Sequence, residues 1–210
     1  LAATRYAERQ ESRKVLGFPV LLDNDVMHLC ADHSCITKQE AYLAMGRIKY
    51  SEYCIATPET ARKFGLTLRD LPVGSGVNAV IVTSDKRIVM METSALVDFP
   101  NRTDVPAGVY SGGHPFEMMR REIREEVGLY ADELIGMRML GLSIHFADRV
   151  GHILTFFADT ALYSLRVEER ARHAEDSWEG RIFSEDCDEY AMHAALEDFG
   201  RTNNSKMSSG

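Results

Sequence analysis

From residue 73 onward, apolar and polar positions alternate in blocks that read as a strand hairpin, a helix and two further strands. Residues 77–83 are apolar and rich in β-branched side chains, which predicts a buried strand. Ser84-Asp85-Lys86 is a turn, and Arg87–Thr93 returns as the second arm. Phe116, Met119, Ile123 and Val127 then recur at helical spacing, so a helix is expected from about Phe116 to Gly128. Residues 136–144 and Gly151–Thr160 read as two more strands, the second centred on Ile153-Leu154-Thr155-Phe156-Phe157-Ala158. Residues 164–175 read as helix or as an irregular charged segment, 181–183 as a short strand and 185–199 as a closing helix. This order implies an α/β (α+β) class, a mixed sheet with helices packed on its faces.

Before residue 73 the pattern breaks into shorter pieces. Residues 18–22 and 26–30 flank Asp23-Asn24-Asp25 and read as a β-hairpin. Thr37, with Glu40 three positions on, looks like the capped start of a helix over 41–45. Thr57-Pro58 opens a second helix that should stop near Gly65. Pro72-Val73-Gly74-Ser75-Gly76 is the natural boundary. It divides the chain into an N-terminal region of short strands and helices (1–72), a main domain (73–199) and a polar, Ser/Asn-rich tail (200–210). Residues 94–115 carry Pro100, Pro106, Gly108, Gly112, Gly113 and Pro115; a loop of that length inside a compact domain is usually functional.

Composition narrows the classes. With 45% hydrophobic and 27% charged residues the chain has a globular profile. Its net charge of −8 argues against nucleic acid as the main partner. No apolar run approaches the length of a membrane span, and the first residues are too polar for a secretory signal. The four cysteines form no dense framework, so reduced thiols and a cytoplasmic setting are expected. His28, Cys30, His33 and Cys35 place four zinc-type ligands within eight residues, but the spacing fits no standard site. A strand end followed by a loop is the plainer account of them.

The densest chemistry lies in Arg121-Glu122-Ile123-Arg124-Glu125-Glu126-Val127-Gly128-Leu129. On a helix, Glu122, Glu125 and Glu126 fall at i, i+3 and i+4 and point to one side, away from the apolar stripe. Carboxylates this close repel one another unless a cation lies among them, and hard oxygen donors suit Mg²⁺ or Mn²⁺. A solvated acidic helix face is the alternative.

The same residues resemble the Nudix hydrolase signature, G-x5-E-x7-R-E-U-x-E-E-x-G-U with U aliphatic. Arg121-Glu122-Ile123, Glu125-Glu126 and Gly128-Leu129 match its second half, and Asp104-Val105-Pro106-Ala107-Gly108 is similar to the P-G-G or P-A-G turn that opens the family's box. Gly113 stands where the pattern has its first glutamate. The resemblance spans roughly residues 77–195. It implies a Nudix α/β/α sandwich and a hydrolase in which water attacks phosphorus in a diphosphate linked to another moiety. By residue match it implies Glu122, Glu125 and Glu126 as metal ligands, joined by a backbone carbonyl of Ala107 or Gly108. Arg121 would pair with Glu125 and hold it in place. Mg²⁺, with Mn²⁺ as alternative, would be the cofactor.

The tract from Asp104 to Pro115 is loosely similar to UDP-glucose diphosphatases, and P-A-G to the ADP-ribose and sugar-nucleotide branches. Both imply a small-molecule partner, a nucleoside diphosphate linked to a sugar, with neither nucleic acid nor membrane involved and a homodimer left open. Candidate substrate contacts are Arg102, His114, His145 and Arg149. Glu175 and Glu179 lie where many relatives carry a late acidic ligand or base, with a solvated role the equal alternative, and Trp178 could stack on a base or fill the core, packing being the commoner role of a lone tryptophan. Because Gly113 replaces a glutamate, a catalytically impaired Nudix-fold nucleotide-binding or regulatory module is the rival expectation.

Overall fold

A computed structural model describes residues 24–29, 35–36, 41–53, 57–67, 71, 73–95, 97, 100–145 and 151–186. The expected strand at 18–22, the Thr37 cap, Arg149, Cys187 and the tail lie outside these residues.

The described residues build one nine-stranded sheet and a separate two-stranded ribbon. In the sheet are β1 (Asp25–Leu29), β4 (Met45–Lys49), β5 (Gly74–Val82), β6 (Arg87–Thr93), β7 (Thr103–Asp104), β8 (Ala107–Val109), β9 (Leu134–His145), β10 (Gly151–Thr160) and β11 (Gly180–Asp186). The ribbon pairs β2 (Cys35–Ile36) with β3 (Ala41–Tyr42). Four α-helices punctuate the strands: α1 (Tyr50–Tyr53), α2 (Pro58–Phe64), α3 (Pro115–Glu122) and α4 (Ser164–Ala171). A mixed sheet carrying helices is the α/β (α+β) class that the apolar pattern predicts.

Strand β5 is the axis. Its side chains alternate, with Val77, Ala79 and Ile81 buried on one face and Asn78, Val80 and Val82 half-buried on the other. Strand β10 runs parallel to it from Gly151↔Gly74 to Asp159↔Val82. The neighbouring pairs, β5 with β8, β10 with β9 and β11 with β6, are antiparallel. Helix α3 lays its apolar stripe over the buried face: Met119, Ile123 and Val127 are fully buried, and Phe116 meets Phe156 edge-on at 5.0 Å.

The chain from Ile123 to Val127 continues α3 as a single π-helical turn and stops at Gly128. Gly128 has φ +74°, and a Cβ there would stand 3.2 Å from the Arg170 carbonyl of α4. Only glycine ends this helix so close to α4. The other end of α4 is capped from the hairpin turn. Asp85 accepts hydrogen bonds from Ser164 N at 2.9 Å, Ser164 Oγ at 2.7 Å and Thr83 Oγ1 at 2.6 Å, which hold its carboxyl well below the usual range.

The N-terminal half differs from expectation in two places. Residues 41–45 do not open a helix: Ala41–Tyr42 and Met45–Lys49 are strands, and Met45–Lys49 pairs antiparallel with β1. Hydrogen bonding to β1 overrides the local helix signal. The described partner of β1 is therefore β4, and β1 also touches β5 at His28↔Gly74. Helix α2 follows expectation, with Thr57 Oγ1 accepting from Thr60 N and Gly65 closing it in the left-handed conformation. Near the C-terminus, Glu185 and Asp186 belong to β11 and do not start a helix; the rest of 185–199 lies outside the described residues. No described helix is long and apolar enough to cross a membrane.

Candidate active site

The carboxylates of the α3 region meet the loop before the helix. Glu126 is 3% exposed, and its Oε2 accepts a hydrogen bond from Ala107 N at 3.1 Å. Its Oε1 is buried without a hydrogen-bond partner among the described residues. Burial pushes the Glu126 carboxyl well above the usual range, reinforced by repulsion from Glu179, Glu122 and Asp176 and only partly offset by the Ala107 amide. Glu122 presses against the backbone at residue 108, where a Cβ would collide with its carboxylate, so a side chain at Gly108 is excluded by close approach. Burial pushes Glu122 up to about 7; Arg121 pulls down while Glu125 and Asp176 push further up.

Arg121 reaches Glu122 Oε1 at 3.3 Å and Glu125 Oε2 at 3.7 Å, so it braces two carboxylates where the spacing predicted one. Glu125 is also paired with Arg124 at 3.2 Å. Its backbone carbonyl accepts from Asp176 N at 2.8 Å, which ties the end of the helix to the segment before β11. That segment brings Glu179 and Asp176 into the field of Glu126 and Glu122. Trp178 Nε1 donates to Asp176 Oδ1 at 3.0 Å, and Ser94 N donates to the Glu179 carbonyl at 2.7 Å.

Glu122 and Glu179 border a cavity of about 480 Å³. Arg102, Gly108, Arg121, Glu122, Trp178 and Glu179 line it. Of the predicted substrate residues, Arg102 is on its wall, its backbone pinned to Thr93 by bonds of 2.8 and 2.9 Å. His114 is not on that wall; it precedes α3 with its ring beside Phe116 at 5.7 Å. His145 ends β9 opposite Gly151, and its side chain, like Arg149, is outside what the structure describes.

A buried carboxyl with one oxygen partnerless among the described residues, a half-buried carboxylate beside it and a hard oxygen donor set together fit a divalent cation of the Mg²⁺ type. Among the described residues, no three His, Cys, Asp or Glu side chains already converge on one point as ion ligands. The zinc-type cluster at 28–35 has two of its members, Cys30 and His33, outside the described residues, while His28 Nδ1 meets the Val73 carbonyl at 2.7 Å.

Two contributions to the site were not settled by the sequence. Glu179, already a candidate late acidic residue, and Asp176 lie some fifty residues beyond the helix, and the pairing of β11 with β6 and the bond from Asp176 N to the Glu125 carbonyl return them to it. The N-terminal region supplies a whole wall, through Asn24, Asp25, Tyr50 and Tyr53. The sole signal was aromatic content in a stretch with no motif.

No protein-family model matches the chain, and no curated protein matches it. Among solved structures it is similar to a Nudix hydrolase from Nitrosomonas europaea, at 19% identity and a TM-score of 0.43 over 59% of this chain and 78% of that one. It is similar also to DR0079 from Deinococcus radiodurans, at 19% identity and a TM-score of 0.42 over 67% and 74%. A Caenorhabditis elegans Ap4A hydrolase gives 13% identity and a TM-score of 0.33 over 41% and 66%. The functional reading therefore rests on the motif and on the geometry of the site.

Proposed function

We propose that the chain is a Nudix hydrolase, a divalent-metal-dependent enzyme that cleaves the phosphoanhydride linkage of a nucleoside diphosphate joined to another moiety, with a nucleotide sugar as the preferred substrate. The observation that carries this reading is the mutually repelling pair of a buried Glu126, whose Oε1 is unpartnered among the described residues, and a half-buried Glu122, which lines a 480 Å³ cavity. Burying carboxyls beside one another is costly in a chain of net charge −8, and a bound cation would offset that cost.

Glu122, Glu125 and Glu126 would hold Mg²⁺ or Mn²⁺, with the Gly108 segment as the backbone donor. An ion held there would supply charge neutralisation on the diphosphate and would acidify the attacking water. Arg121 keeps Glu122 and Glu125 from splaying under their repulsion. Arg102, on the cavity wall, is suited to a phosphate oxygen. Glu179, which lines the cavity and whose charge bears on Glu126, would accept the proton of the attacking water. The new bond joins that water oxygen to phosphorus, and the bridging P–O bond breaks toward the leaving phosphate. The site is proposed to act in the cytoplasm on small molecules, and a homodimer is compatible with it.

The test is product analysis over a panel of nucleotide sugars and dinucleoside polyphosphates with Mg²⁺ or Mn²⁺. Release of a nucleoside monophosphate supports the reading, and absence of turnover with every substrate and both metals overturns it. One observation favours a second reading, a nucleotide-binding module with impaired hydrolysis. Gly113, which takes the place of the family's first glutamate, has φ +81°, a conformation in which a glutamate would be strained. Tight nucleotide binding without product would select it.

A further inference from the structure

The lining of the cavity comes from separate parts of the chain. One group is Glu122, Glu179 and Trp178, from the helix region and the segment before β11. Another is Asn24 and Asp25 at the start of β1 together with Tyr50 and Tyr53 of α1. This second wall is a built structure. Tyr50 N donates to the Asn24 carbonyl at 3.0 Å, which clips α1 onto β1. The Tyr53 ring lies so close over Gly74 that a Cβ there would collide with it, and Tyr53 Oη stands 3.6 Å from where a Cβ on Gly151 would be. The two rings meet at 56° with centroids 6.1 Å apart. Tyr53 is thereby fixed over the two central strands, and Tyr50 lines the cavity beside it. Asp25, held as an anion by Lys49 at 2.7 Å and Arg47 at 3.6 Å, adds an acceptor to the same wall.

A diphosphate and its cation need oxygen donors and positive charge. Lys49 and Arg47 engage Asp25 and do not line the cavity, so the aromatic wall with its amide and carboxylate matches a flat heteroaromatic ring with hydrogen-bonding edges better than a diphosphate. We infer that Asn24, Asp25, Tyr50 and Tyr53 form the base-recognition wall of this site, so that the segment before residue 73 selects the nucleoside while the α3 carboxylates engage its diphosphate. The inference rests on the proposed diphosphate site and adds to it the residues that set specificity. Tyr50 stacks on the base, and Asn24 and Asp25 read its edge.

The full chain, with Mg²⁺ present, is titrated by calorimetry with a nucleoside diphosphate (ADP, GDP and UDP in turn) and separately with inorganic pyrophosphate. Trp178, the single tryptophan of the chain and a residue of the cavity lining, gives an independent fluorescence reading. At least one nucleoside diphosphate should bind about ten-fold or more tightly than pyrophosphate, the range expected for one stacked base. Tyr50→Ala should abolish that advantage while leaving pyrophosphate affinity unchanged, and Tyr50→Phe should keep it. Circular dichroism on both variants establishes that they fold. Equal weakening of both ligands in Tyr50→Ala, or an undiminished preference for the nucleotide, overturns the base wall alone. Failure of the unaltered protein to bind either ligand overturns the diphosphate site and the base wall together.

Discussion

At the scale of the residue, Glu126 and Glu122 differ in what burial asks of them. Glu126 has one oxygen satisfied by an amide and one unpartnered among the described residues, so replacing its charge relieves the fold while removing the site's central donor. Glu126→Gln should lower kcat by about 10²–10⁴-fold, with a melting temperature equal to or above that of the unaltered protein. Steady-state rates and scanning calorimetry on one preparation check both halves. Glu122 carries a pH signature. Its carboxyl is raised to about 7 in the folded protein from an unfolded value near 4.5. Its contribution to stability without metal is therefore fully present below about pH 4.5 and is lost as pH rises through about 7, a loss on the order of 3 kcal/mol. A cation that requires the ionised form restores it. Saturating Mn²⁺ should raise the melting temperature more at pH 8 than at pH 5.5, and equal shifts at the two pH values would remove Glu122 from the set of ligands. Arg121 was legible from its spacing to Glu125; its closer approach to Glu122 was not, because adjacent residues on a helix diverge and only side-chain length lets them meet.

At the scale of the element, the helix that carries the carboxylates is held at its end by α4. Gly128→Ala forces a Cβ into a left-handed backbone and toward the Arg170 carbonyl. It should cost at least about 1–2 kcal/mol and lower the melting temperature, with catalysis falling further than a surface substitution would cause, because Glu125 and Glu126 sit in the last turn. The hairpin turn holds α4 at its other end through Asp85. Asp85→Asn should destabilise the protein at neutral pH. Since the Asp85 carboxyl is depressed on folding, the difference should shrink as pH falls below the ordinary carboxylate value and the aspartate itself becomes protonated. Thermal melts of the two proteins at pH 7 and pH 3 decide it. Both elements were readable in the sequence, since a hairpin turn and a glycine stop are local signals. Residues 41–45 were misleading for the reverse reason: Thr37 and Glu40 have the form of a cap, while β1 pairs with Met45–Lys49 from a distance of twenty residues.

At the scale of the whole molecule, residues before 73 and after it share one sheet. We take residue 72 as a boundary in composition rather than a break in the architecture: β1 and β4 extend the sheet, and Met27 N donates to the Tyr110 carbonyl at 2.7 Å in the loop before α3. A chain beginning at Leu71 would lose those strands and one wall of the cavity. It should melt at a lower temperature than the full chain and retain less nucleotide affinity, measured side by side by calorimetry.

Period-two alternation in β5 and β10, the apolar stripe of α3 and the glycine that ends the helix were all determined by the sequence. Each follows from backbone geometry over a few residues, and a repeating pattern is enough to state it. Tertiary structure alone decided that Glu126 is buried against Ala107, that Gly108 lies under Glu122, that Glu179 and Asp176 return to the helix and that Tyr50 and Tyr53 face the same cavity. These depend on strand pairings between segments tens of residues apart, and no local period encodes which strand a given segment will join. The carboxylates were visible because they are neighbours in the chain. Their burial was decided by elements that are neighbours only in space, and that burial is what turns an acidic helix face into a candidate site.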